Sequence, residues 1–133
     1  MHQIEWKDDY LTGIEEIDSQ HKDFVKLINR LGIVQEYGNK KAIAIRLLTE
    51  LGKYVEYHFV SEENIMFLTK YPALERQQQA HAALLDEYSK RMQNFLNDKG
   101  TVEDVIRFLE GWFARHTIEE DKKVGYHINA SKI

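Results

Sequence analysis

Four histidines fall where the surrounding pattern calls for apolar residues: His21, His58, His81 and His116. Each sits in a segment whose apolar residues recur at steps of three and four, the spacing of one helix face. A buried imidazole needs a partner, and apolar neighbours offer few. One such histidine is ordinary core, whereas one in each of four segments points to a shared task. Glu62 follows His58 by four residues, so both side chains reach the same spot. They could simply pair with each other at the end of a bundle, but that leaves the other three histidines unexplained. A carboxylate buried without a cation is costly, and a metal ion would satisfy it together with the imidazoles. This donor set, without thiolate, suits iron, manganese, zinc or cobalt. Four histidines and a carboxylate can saturate one ion. With two bridging carboxylates and solvent they can hold two, and spacing leaves both counts open.

The elements that would position these residues are four helices behind an irregular arm. Residues 1–17 carry Trp6, Tyr10 and Gly13 without a sustained period. A first helix is expected over 18–37, with Asp18 as its N-cap and Phe24, Leu27, Ile28, Leu31 and Val34 on its apolar face, ending at Gly38-Asn39. The second, over 41–68, has the seam Leu48, Leu51, Val55, His58, Glu62, Ile65, and Pro72 lies beyond its end. The third, over 73–97, carries Leu74, Gln77 or Gln78, His81, Leu84 or Leu85, Tyr88, Met92 and Phe95. The fourth, over 102–121, starts from a Thr101 cap with Asp104 three residues on, and carries Val105, Leu109, Trp112, Phe113 and His116. The tail after it is weakly patterned. His2 and His127 lie outside the pattern and read as exposed. Short connections between long amphipathic helices favour antiparallel neighbours, hence an all-α, up-down-up-down four-helix bundle forming one domain over 1–133.

Composition narrows the chemistry further. The 133 residues hold no cysteine, which excludes disulfides, zinc–cysteine sites, iron–sulfur clusters and thiol catalysis. Net charge is −4, against the basic balance of a general nucleic-acid binder. The N-terminus has no apolar signal region, and no run of about 18 apolar residues occurs. The expected location is cytoplasmic, away from any membrane. Oligomeric state is not legible; a monomer is compatible with the mixed surface charges.

The stretches "EWKDDYLTGIEEIDSQHK", "YHFVSEE", "YPALERQQQAH" and "WFARHTIEEDKKVG" together resemble the bacterial hemerythrins. The resemblance covers nearly the whole chain. H-x-x-x-E alone would be weak; joined to the tryptophan arm, the "IDSQHK" turn, a third-helix histidine and H-x-x-x-x-D, it is specific. It implies two non-heme iron ions joined by an oxo or hydroxo bridge, binding dioxygen. Carried over by position, His21 and His58 would ligate one iron, His81 and His116 the other, and Glu62 and Asp121 would bridge them. Phe24, Phe59, Trp112 and Phe113 match the apolar oxygen pocket, and ordinary core packing accounts for them equally well. Helix geometry alone would not choose Asp121. It lies five residues after His116, about 140° round a regular helix, whereas Glu119 or Glu120 would fit better. The resemblance selects Asp121, which requires the last turn to loosen or bend and leaves Glu119 and Glu120 as solvated surface.

The sequence departs from the family pattern once. The third helix should read H-x-x-x-H, and Gln77 stands at the first position. Water filling that place, weak coordination by the Gln77 amide oxygen, and loss of the iron are the three outcomes, in that order. Gln78 is a poorer substitute. A site with two histidines, carboxylates and open positions resembles centres that activate oxygen, so faster autoxidation than in a Gln77→His protein is expected. The leading function is reversible dioxygen binding for storage, delivery or sensing, with a single-domain carrier favoured over a sensor. The alternatives are a di-iron oxidase, peroxidase or nitric-oxide-handling enzyme, and an interaction module that has lost metal. Tyr54, Tyr57 and Tyr88 are weak candidates for proton transfer.

Overall fold

The computed structural model describes residues 3–36 and 40–130. Among the described residues there are five α-helices: α1 (Glu15–Arg30), α2 (Lys40–Leu68), α3 (Leu74–Leu96), α4 (Val102–His116) and α5 (Lys122–Ala130). The first four form an antiparallel bundle, and no strand occurs among the described residues. None of the helices is long and apolar enough to cross a membrane.

The helix ends follow local chemistry. Thr101 and Asp104 exchange hydrogen bonds with each other's backbone N–H, both at 3.1 Å, and so start α4. α2 ends on Lys70 (φ 57°) and α3 on Asp98 (φ 59°), both left-handed. At each end the next N–H reaches back five residues, Tyr71 to Met66 and Lys99 to Asn94, which satisfies carbonyls the helix leaves free.

Several expectations at the ends need correction. α1 begins at Glu15, with Ile14 before it, so Asp18 is not its cap. Asp18 is buried and accepts from Thr12 N (2.7 Å), Thr12 Oγ1 (2.8 Å) and Gly13 N (3.2 Å). The acceptor that suited a cap instead ties down the arm. α1 stops at Arg30 and tightens into a 3-10 turn over Leu31–Glu36; Gly38-Asn39 lie outside the described residues, as does His2. The tail is helical as α5, with Val124, Gly125 and Ile128 buried. His127 is half-buried, and its Nε2 meets the Thr69 carbonyl at 2.8 Å. On α2, Met66 is fully buried and Ile65 only partly.

The core is divided. A large cluster spans the bundle from Val55 and Phe59 to Leu31, Val34, Ala44, Leu48, Val102 and Leu109. A small one, Ile14, Ile17, Met66, Val124 and Ile128, closes the other end. The polar side chains of interest lie in the layer between them.

Candidate metal centre

α1 contributes His21, α2 His58 and Glu62, α3 Gln77 and His81, and α4 His116; all are buried. Asp121 joins them through a change in helix type. The turn Thr117–Asp121 is π-helical, with i→i+5 bonding, which turns a residue five places after His116 back onto the same face. Glu119 is exposed. Glu120 is only partly so and pairs with Arg76 at 2.6 Å, so it is less solvated than its sequence suggested.

The four imidazoles converge through Nε2. His58 Nε2 lies 3.1 Å and His21 Nε2 3.6 Å from Glu62 Oε2, while His81 Nε2 lies 3.4 Å from Glu62 Oε1. Asp121 repeats the arrangement, with Oδ2 3.3 Å from His21 Nε2 and Oδ1 3.2 Å from His116 Nε2. Each carboxylate therefore offers one oxygen to each histidine pair. Two groups result, His21–His58–Glu62 and Glu62–His81–His116, each with its donor atoms within 4.8 Å of one another.

Hydrogen bonding tests whether a cation fits. Both Glu62 oxygens, His81 Nε2, His116 Nε2 and Gln77 Oε1 are buried without a hydrogen-bond partner. Buried polar atoms are rarely left so, and these all face one spot. Cations placed among the carboxylate oxygens and imidazole nitrogens would satisfy those atoms, so the residues present fit a metal centre.

The outer nitrogens fix the tautomers. His58 Nδ1 lies 2.7 Å from Gln20 Oε1, which only accepts, so Nδ1 carries the hydrogen and the Nε2 lone pair points inward. His81 Nδ1 lies 2.8 Å from a Glu63 carboxylate oxygen, with the same consequence. Aromatic rings hold the planes: Phe59 stacks on His81 at 3.8 Å between centroids and Trp112 on His116 at 4.4 Å. Sequence reasoning missed Gln20 and Glu63. The signal was their adjacency to His21 and Glu62, which places them beside the centre.

The charges interlock. Burial alone would lower the His21 pKa, but hydrogen bonds and charge from Asp121 and Glu62 outweigh it and raise it to about 9. His81 is pushed up likewise, with Glu62 and Glu63 overcoming burial. Burial would raise Glu62; its contacts with His21, His58 and His81 hold it well below the ordinary carboxylate range.

Phe24, Phe59, Trp112 and Phe113 line one pocket with Val55, Thr117, His21, His58 and Asp121. Its volume is about 10 Å³, room for one molecule the size of water. The arm seals its back: Trp6 and Tyr10 pack on each other and on Phe113, which meets His21 edge-on. The Thr117 hydroxyl is buried and has no hydrogen-bond partner. Sequence analysis passed over it, although it directly follows His116.

Gln77 is 1% exposed, and its amide nitrogen donates to Asp121 Oδ1 at 3.2 Å. Gln78 faces solvent. Tyr54 and Tyr88 donate their hydroxyls to the carbonyls of Gln20 and Leu48, which are structural contacts.

Comparison with known proteins agrees with this geometry. Residues 12–127 match the hemerythrin HHE cation binding domain. A bacteriohemerythrin of Pseudomonas aeruginosa is 29% identical over 121 residues, 91% of this chain and 78% of that protein. One from Methylococcus capsulatus is 28% identical over 120 residues, 90% and 91% of the two chains. The crystal structure of a wild-type hemerythrin superposes with a TM-score of 0.85 at 25% identity, covering 96% of this chain and 98% of that one. The chain belongs to the hemerythrin family.

Proposed function

We propose that this member of the hemerythrin family holds two non-heme iron ions and binds dioxygen reversibly. The observation that carries the reading is the pair of carboxylates, Glu62 and Asp121, each aiming one oxygen at each histidine pair beside a closed apolar pocket. Two iron ions, joined by an oxo or hydroxo bridge, would supply electrons to dioxygen on binding and recover them on release. His21 and His58 would hold one, and His81 and His116 the other.

The chain's own residues do the rest. Phe24, Val55, Phe59 and Phe113 keep bulk water from the His21/His58 side, and a pocket of about 10 Å³ admits little beyond a diatomic molecule. Dioxygen crosses such a wall without losing a hydration shell, whereas an anion must shed one and enters more slowly. Gln20 and Glu63 hold His58 and His81 with their lone pairs inward. The Thr117 hydroxyl offers the pocket a hydrogen bond that no protein group takes. A single domain with dioxygen as its partner is part of this reading; the net charge of −4 bears only against nucleic acid as a partner.

The test is anaerobic reconstitution with ferrous iron, followed by cycles of oxygen exposure and removal. Two irons per chain and an absorption change that reverses over repeated cycles are expected. Fewer than two irons, or a change that never reverses, overturns the reading.

A further inference from the structure

The two histidine pairs face different media. The His21/His58 side meets the closed apolar pocket. Beside His116, a second opening lies between α3 and α4, a cleft of about 250 Å³ lined by Arg76, Gln77, Ala80, Trp112, Arg115, His116, Glu119 and Glu120. Trp112 lines both spaces and separates them. Arg76, Arg115 and Glu119 are exposed at the rim, whereas Gln77 and His116 are buried at the floor. The cleft therefore leads from solvent to the place where the third helix carries an amide instead of an imidazole.

We infer that the His81/His116 metal position takes a small anionic oxygen or nitrogen donor from solvent through this cleft, next to Gln77. The inference rests on the proposed di-iron reading. Three observations carry it. The rim charges cancel, two arginines against two glutamates, so the field at the floor is set by the centre itself. Two bound metal ions would carry more charge than the Glu62 and Asp121 carboxylates facing them, so an anion would be drawn inward. Unlike the apolar pocket, the cleft carries polar groups from rim to floor, Arg76 and Arg115 above and Gln77 below, so an anion moving down it meets hydrogen-bond donors. At the floor, Gln77 is oriented by its bond to Asp121, which leaves Oε1 buried and without a donor. Held this way, the amide is a poor oxygen donor to a metal and leaves the position to a stronger, anionic one. The chain thus has two entrances of different character, one that favours a small neutral gas and one that favours a small anion.

The probe is azide, titrated into the iron-loaded, air-oxidised protein, with bound azide counted per chain by equilibrium dialysis. Two azides per chain are expected, falling to one in Gln77→His, where an imidazole fills the position. Ala80→Trp, which narrows the cleft without touching a donor atom, is expected to slow one of the two associations by about tenfold and leave the other unchanged. A single azide per chain with two irons bound overturns the inference and leaves the di-iron reading standing; this is also the result if the Gln77 oxygen itself coordinates. Two azides in Gln77→His, or equal slowing of both in Ala80→Trp, overturns it as well. Fewer than two irons per chain overturns both readings together.

Discussion

The two apolar clusters that flank the polar layer are built unequally. The large one is the ordinary product of helix periodicity, with Leu48 and Leu51 of α2 and Val105, Ile106 and Leu109 of α4 among its buried members. The small one depends on irregular features. Ile14 follows the Asp18-anchored turn, Val124 and Ile128 lie on α5 beyond the π-helical turn, and Gly125 lets the arm approach. The difference suggests a division of work: the large cluster supplies stability, and the small one sets where Asp121 sits.

The largest expected effect tests the first half of that division. Leu109 is fully buried in the large cluster, and Leu109→Ala should cost about 2–5 kcal/mol of unfolding free energy in urea. Iron per chain should stay unchanged, because no donor lies on that cavity. Loss of iron in this variant would mean that the clusters do not divide stability from metal binding.

Gly125→Ala tests the second half. A Cβ at Gly125 would fall 2.0 Å from the Thr12 carbonyl oxygen, so arm and α5 must separate at about 1–3 kcal/mol. The separation pulls on the turn that presents Asp121. Metal affinity should therefore drop more in this variant than in Leu109→Ala, although the stability loss is smaller. Equal metal affinity in the two, by competition with a chelator, would break the comparison.

These two cases also show what was legible in the sequence. The large cluster and the four histidines were readable because they obey the 3.6-residue period that helices impose. Glu62 was readable for the same reason. Asp121 was not, because the π-helical turn suspends that period over Thr117–Asp121; only the family resemblance reached it. Asp18 was misread because one carboxylate suits a helix start and a buried turn equally well. α5 was missed because its buried face, Val124, Gly125 and Ile128, is short and interrupted by a glycine. Gln20 and Glu63 escaped notice because hydrogen bonding to the outer face of a histidine leaves no apolar pattern.

The polar layer itself should respond to pH, unlike either cluster. In metal-free protein the folded His21 pKa, about 9, exceeds its unfolded value of 6.5. Its contribution to stability is thus complete below pH 6.5 and disappears as pH rises through 9. Glu62 is shifted the other way; its contribution is present above its ordinary range and lost on acidification. With His21 as a metal ligand, as proposed, the metal displaces its proton, so affinity should rise about tenfold per pH unit for each proton released, up to pH 9. Chelator competition between pH 6.5 and 9 measures this. A flat profile would show that His21 binds metal without giving up a proton, or does not bind it.

The smallest effect compares the turns at the two ends. Lys70 closes α2 beside the small cluster and Asp98 closes α3 beside the large one, both in the left-handed conformation. Such backbone costs a non-glycine residue about 1–2 kcal/mol, so glycine at either place removes a strain. The side chains differ. Asp98 forms an ion pair with Lys41 at 2.6 Å, whereas Lys70 is exposed. Lys70→Gly should therefore raise stability by about 0.5–1 kcal/mol, and Asp98→Gly by less, since it forfeits a surface pair worth up to about 1 kcal/mol. Urea titration of the two variants measures the difference. A larger gain at Asp98 would mean that its ion pair contributes nothing and that the turn at the large-cluster end is the more strained of the two.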